Sequence, residues 1–272
     1  MLRLGRALLK LELLRPSAGV DDRALPLWDR FIAAGARRDL PAVFAGTAGA
    51  ALAAAGWARE HGVPLSAVVH GVVPHEARES LRIWALPFEV ARSRDEALAR
   101  VAARAGGGET ALPPLDGDEA ALAVAASLGR ELVSDAAAAG LEPVLLVSPA
   151  GPRAAVLGAL SALRERFPRA HAIALRAASA ADELPEVPFR DALRGEPRLG
   201  LELRAVSRGE AATARAELAR TLGLLAGHGA ALAARIARDS DVPEGCCVVA
   251  LVTSAGEREF SLDAAASAES RS

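Results

Sequence analysis

The sequence predicts an α/β fold of two lobes, each built on a mainly parallel open sheet. Three observations predict it. Short apolar runs of strand length alternate with longer helix-like segments along nearly all of the 272 residues. Some of those runs, such as 42–45 and 246–252, are apolar at every position, the pattern of strands covered on both faces. A glycine-rich break, Gly106-Gly107-Gly108, and the loop at 112–118 separate two such series.

The elements follow in order. Residues 8–14 alternate, with Leu9, Leu11 and Leu13 opposite Lys10 and Glu12, as in a half-buried strand. Pro16-Ser17-Ala18-Gly19 ends it. Asp21 and Asp22 suit the start of a helix reaching Ala34, because carboxylates favour a helix N-terminus. Strands are predicted at 41–45, 65–70 and 88–91, with helices at about 50–60, 76–84 and 94–105 between and after them. A long helix over 119–139 leads to a strand at 144–147, a helix at 153–167 and a strand at 170–175. The proline-rich stretch 180–197 reads as irregular. Helices at 209–222 and 228–238 precede the strand at 246–252, and Phe260 is placed to open a last short strand. The boundaries are 1–138 for the N-terminal lobe, with segments free to exchange, 139–262 for the C-terminal lobe, and 263–272 for a frayed tail.

Composition narrows the function. The formal charge is -2, with 32 basic and 34 acidic residues, so no basic surface for nucleic acid or anionic lipid is expected. Aromatic residues make up only 3%, too few for base-stacking platforms. No signal-peptide core or membrane span is visible, and the cytoplasm is the expected location. The adjacent Cys246 and Cys247 read as buried thiols, since side chains alternate across a strand and two neighbours cannot share a ligand. His70 and His75 read as surface histidines rather than metal ligands. Lys10 is the only lysine; apart from the amino terminus, no other primary amine exists.

Ligands of open α/β sheets bind beyond the carboxyl ends of the strands. Four turns lie there, at 16–22, 46–49, 148–153 and 253–256, and their order carries a resemblance. Lys10-Leu11-Glu12, Pro16 and Asp22-Arg23 resemble the "KLE…P…G-S-F-K-D-R" of cysteine synthase, cystathionine β-synthase and threonine synthase relatives. Gly46-Thr47-Ala48-Gly49 resembles their "G-N-x-G" turn, and 144–158 their strand, phosphate cup and helix. Gly227-His228-Gly229-Ala230 resembles "S-S-G-A", and Ser254 to Ser261 resembles "S-F-G-E-R-Y-L-S". The chain is identified on these pieces as a member of the cysteine synthase-like, tryptophan synthase β-like group of pyridoxal-phosphate enzymes.

The resemblance implies a site and also its loss. The family's Schiff-base lysine falls on Asp21, and a carboxylate forms no imine. The vestigial cofactor positions are Thr47, Gly49, Gly151, Arg153 and Ser254, with Ser254 at the place of the serine that meets the pyridine nitrogen. Pro152 lacks the N–H that a phosphate nest uses, and Arg153 and Ala154 add side chains there. These departures give an expectation of no catalytic residue, no bound cofactor and a pseudoenzyme that binds a protein or small-molecule partner as a homodimer. The alternative is a pyridoxal-phosphate lyase or synthase working by β-elimination or β-replacement on O-acetylserine, serine or threonine. As single residues, Asp21 reads as a helix-start residue, Asp22 and Arg23 as an ion pair, and Arg153 as an anion ligand, a filler of the vacated cup or a solvent-facing side chain. A compensating Asp21–Arg153 pair across the cleft is a further expectation.

Overall fold

The computed structural model describes residues 1–12, 19–33, 40–184, 187–188 and 200–255. The strands are β1 (Leu2–Leu4), β2 (Ala7–Leu11), β3 (Ala42–Gly46), β4 (Leu65–His70), β5 (Phe88–Ala91), β6 (Thr110–Ala111), β7 (Glu142–Pro149), β8 (His171–Ala177), β9 (Leu201–Val206) and β10 (Cys246–Val252). The helices are α1 (Pro26–Ala33), α2 (Ala48–His61), α3 (His75–Ile83), α4 (Arg94–Gly106), α5 (Asp118–Val124), α6 (Arg130–Ala138), α7 (Arg153–Arg166), α8 (Arg208–Leu222) and α9 (His228–Asp239).

Two sheets result, in the orders β5-β4-β3-β6 and β1-β2-β10-β7-β8-β9. Every pairing is parallel except that of β1 with β2. The protein is therefore of the α/β class with mainly parallel sheets, as the sequence predicts. All seven residues of β10 are buried, which suits a strand with neighbours on both sides and helices on both faces. The first eleven residues cross to the second sheet, where β2 lies against β10 with Val248 opposite Ala7 and Val252 opposite Leu11.

The largest apolar core runs from Trp28, Phe44 and Ala51 in the first lobe to Leu146, Leu160 and Val249 in the second, so the lobes share it. Trp28 meets Phe44 and Trp57 edge to face, with ring centroids 5.0 and 5.1 Å away. A second core lies beneath α8 and α9, from Leu9 and Val147 to Leu232 and Val248.

Several elements depart from the sequence reading. The helix expected from Asp21 to Ala34 is a 3-10 turn over Val20–Arg23 followed by α1 from Pro26; proline is tolerated in a first helical turn but not inside a helix. Residue 34 lies outside the described residues, as do Leu13, Phe260 and the 263–272 tail. The single helix over 119–139 is interrupted by a π-turn at Ala125–Gly129. The short strands β1, β6 and β9 escaped the sequence reading; β9 exposes alternate polar residues, and β6 has only two residues.

The π-turn has a packing partner. A Cβ built on Gly158 would lie 2.5 Å from the Ala121 carbonyl oxygen, and one on Gly129 would lie 2.3 Å from the Ala162 Cβ. Two glycines thus let α7 cross the α5–α6 segment at backbone contact, where any side chain would force the helices apart. Gly158→Ala is expected to destabilise the fold by about 1–3 kcal/mol, read as a lower urea midpoint at unchanged slope.

Candidate functional site

The site begins with a buried charge network. β2 carries Lys10 inward, and Glu12, just beyond the strand, is 1% exposed. Arg23, in the 3-10 turn, grips Glu12 with Nε–Oε2 at 2.8 Å and Nη2–Oε1 at 3.0 Å. The same guanidinium reaches Glu131 on α6 at 2.6 and 2.7 Å. Lys10 Nζ adds 2.7 Å to Glu131 and 3.3 Å to Asp135. Burial works against the Arg23 charge, but the hydrogen bonds from Glu131 and Glu12 outweigh it and hold its pKa above the ordinary value. The Arg23 hydrogen bond, against the opposing effect of burial and with help from Lys10, holds Glu131 down to about 2. The expected Asp22–Arg23 pair is replaced here: Arg23 turns to Glu12 and Glu131, which offer it two bidentate acceptors.

This network pins the turn that carries Asp21. Val20 N donates to Thr253 O at 3.0 Å, and Gly19 bridges to Ser254. Asp21 therefore lies beside the carboxyl end of β10. Its carboxylate also packs on the first turn of α2: a Cβ built on Gly49 would stand 2.6 Å from Asp21 Oδ2. A carboxylate at a helix N-terminus is favoured by the partial positive charge there. Thr47, the N-cap of α2, accepts from Ala50 N at 3.3 Å. Asp21, Thr47, Gly49 and Ser254 are thus drawn together at strand carboxyl ends.

Gly151 and Arg153 stand at the end of β7, where α7 starts. Pro152 is the N-cap and donates nothing, and Arg153 N donates to Gly151 O at 2.8 Å. Two donors of an anion nest are thereby lost or engaged. The Arg153 side chain reaches away from Asp21, with Nη1 on Asp116 O at 3.1 Å and Nη2 on Asp118 Oδ1 at 2.8 Å. The expected Asp21–Arg153 pair is absent for that reason: two nearer acceptors on the 112–118 loop hold the guanidinium.

Sequence reasoning missed the cluster around that loop. Arg94, at the start of α4, takes Asp116 in both oxygens at 2.7 and 3.1 Å. His70, at the end of β4, is half-buried rather than a surface residue; burial pushes its pKa down, against the pull of Asp116. His75 is exposed. The three clustered residues come from a strand end, a helix start and a loop, so no spacing in the sequence marks them. Cys246 and Cys247 are buried, and burial raises the Cys247 thiol to about 11.

An open, two-lobed α/β protein with its polar turns gathered at strand carboxyl ends is a ligand-binding or catalytic scaffold. Residues 2–254 match the family model described as pyridoxal-phosphate dependent enzyme, so the chain belongs to that family. Among solved structures, it is similar to an O-ureido-L-serine synthase at 22% identity and a TM-score of 0.78, over 94% of this chain and 86% of that one. It is also similar to the O-acetylserine-dependent cystathionine β-synthase of Helicobacter pylori, at 21% and 0.78, over 94% and 89%. A cysteine synthase from Entamoeba histolytica follows at 16% and 0.76, over 94% and 81%. At these identities the likeness establishes the fold. No curated protein sequence matches the chain.

The family corrects one expectation. No cofactor was expected, but the family is defined by dependence on pyridoxal phosphate, and that is the cofactor to weigh here. The residues fit it at one end: Ser254 Oγ is buried with no hydrogen-bond partner, as a group awaiting the ring nitrogen would be. They do not fit its covalent anchor. Position 21 carries a carboxylate, and the one lysine is held by Glu131 and Asp135.

The network has a pH signature. The Glu131 pKa is held near 2 against an ordinary 4.5, so its stabilising contribution is complete above about pH 4.5 and disappears as pH falls to 2. In urea titrations, Glu131→Gln should lower the midpoint at pH 7, and the gap from the parent protein should close between pH 4.5 and 2. A gap independent of pH would remove the assignment.

Proposed function

We propose that this chain is a catalytically degenerate member of the pyridoxal-phosphate enzyme family that acts by binding a small ligand or a partner in its interlobe cleft. One observation carries the reading: where the resemblance puts the reactive lysine stands Asp21, its carboxylate packed against Gly49 at the start of α2. A carboxylate supplies no nucleophilic amine, and Lys10 sits on β2 in ion pairs with α6. Bound through a lysine amine, pyridoxal phosphate supplies an electron sink for bonds at an amino acid's α-carbon. Without that link, the chain's own groups would bind and orient: Ser254 would meet the ring nitrogen, and Thr47 presents a hydroxyl at the α2 N-terminus. Gly151 and Arg153 are the weakened phosphate end. Homodimerisation, a cytoplasmic location and a lobe boundary near 138 belong to the same reading.

Incubation with pyridoxal phosphate and borohydride, followed by intact-mass measurement, tests it. The expected result is no stoichiometric reduced adduct; a one-to-one adduct would favour the second reading. That second reading is a working β-elimination or β-replacement enzyme, and the unpartnered Ser254 hydroxyl is the observation in its favour. Restoring the amine separates the anchor from the phosphate cup. Asp21→Lys is expected to show no turnover of O-acetylserine or serine, because Pro152 still withholds a donor from the phosphate. Clear turnover by that single variant would show that the cup is sufficient as it stands.

A further inference from the structure

The first lobe carries a second concavity at the opposite end of its sheet from the cleft. An open cavity of about 900 Å³ lies at the amino ends of β3, β4, β5 and β6, lined in part by Ala58, Arg59, Pro64, Trp84, Ala85 and Pro87. That volume is within the range of small-molecule sites, on the order of 300–1,000 Å³.

Its walls have a consistent chemistry. Proline enters three of the four strands, as Pro41, Pro64 and Pro87, so the residue before each of those strands offers no backbone donor. The floor is apolar, from Ala42, Ala55, Leu65 and Leu86. Trp84 is 42% exposed, with its six-membered ring edge 4.0 Å from the position a Cβ on Gly56 would take. A Cβ at 56 would meet the indole at ordinary van der Waals distance, so the ring packs on the α2 surface while part of it stays exposed.

Two arginines reach the cavity and differ in state. Arg104 is satisfied by Glu109 at 2.9 and 2.7 Å, by Ser66 at 2.7 Å and by Glu89 at 3.6 Å. Arg59 has no hydrogen bond or ion pair among the described residues. The cavity therefore holds one uncommitted positive charge beside an exposed aromatic face.

The backbone supplies an independent sign. Ala85 has φ of 53°, the one positive value among non-glycine residues described. It follows α3, where Leu86 N donates to Leu81 O at 3.0 Å, a helix ending that glycine normally serves without strain. An alanine there is held in a backbone conformation that its Cβ disfavours. Its methyl group helps line the cavity, and strain of this kind concentrates at ligand sites.

We infer that this cavity is a binding site for a small aromatic carboxylate, separate from the interlobe cleft. The ring stacks on Trp84 between the proline and alanine walls, and the carboxylate meets Arg59. A planar guanidinium takes a carboxylate through two parallel hydrogen bonds, so an uncharged isostere of the same shape is discriminated against.

Isothermal titration calorimetry with naphthalene-1-acetate and its uncharged amide tests the inference on the full chain. Wild-type protein should bind the acetate at least tenfold more tightly than the amide. Arg59→Gln should remove that preference while leaving amide binding unchanged, and Trp84→Ala should weaken both ligands. Both side chains are exposed, so the variants should keep the parental melting temperature within a few degrees. Absence of binding to the wild type overturns the inference. So does binding that neither substitution alters, which would place the ligand elsewhere. A Ser254→Ala control, at the cleft and on no element that lines the cavity, should leave the acetate affinity unchanged.

Discussion

Arg23 is held by two carboxylates from different parts of the molecule, and the geometry of the cleft depends on that grip. Glu12 follows the second strand of the large sheet, and Glu131 belongs to the helix that leads back into the same sheet. Between them, the guanidinium fixes a four-residue turn that local sequence does little to shape. Glu12 and Arg23 are 1% and 6% exposed, so each is strongly desolvated. Loss of one partner from such a pair commonly costs about 3–5 kcal/mol, because a buried charge is left without its counter-charge. The group is better regarded as a fixed joint than as a net source of stability. It sets the approach of residue 21 to the helix that begins after Thr47.

Seen from that joint, a carboxylate at position 21 is locally coherent. A helix N-terminus attracts negative charge, and the Asp21 carboxylate sits against the first turn of α2. The start of α7 in the second lobe is closed in a parallel way. At the start of α7 a proline stands where an N–H would be useful, and the next amide turns back on Gly151. The Arg153 side chain is drawn to the 112–118 loop. Both helix ends that face the cleft are thus satisfied internally, while among the described residues Ser254 carries the one buried hydroxyl without a hydrogen-bond partner.

Much of the fold was legible because it depends on local pattern. Continuous apolar runs such as 246–252 report burial directly, and the turns between them follow from glycine and proline; the alternation around Leu9 does not, because Lys10 and Glu12 on its polar face are buried as well. Short strands were less legible. β6 has two residues, too few to carry a period, and β9, although Leu201-Glu202-Leu203-Arg204 alternates, follows directly on a proline-rich segment that reads as irregular. For the candidate site, the colinear turns put Asp21, Thr47, Gly49, Gly151, Arg153 and Ser254 at strand carboxyl ends, but side-chain partners were not readable. Arg23 has an adjacent carboxylate in sequence and ignores it for two distant ones; Arg153 does likewise. The direction of a long side chain is decided by tertiary packing, and that information lies outside any local window.

The order of strands in the large sheet has a kinetic consequence. β2 leaves the ribosome early, yet its parallel neighbour β10 is the last strand described. Until some 240 residues more have been made, Leu8 and Leu9 have only the three-residue β1 to pair with. The lobe built on β3 to β6 closes over much shorter separations and can collapse first. The larger lobe must wait, holding an open, apolar strand edge on β7 for the roughly one hundred residues that separate it from β10. Its slow step is therefore the meeting of two strands far apart in sequence, and the nascent protein is most exposed to misassociation just before that meeting.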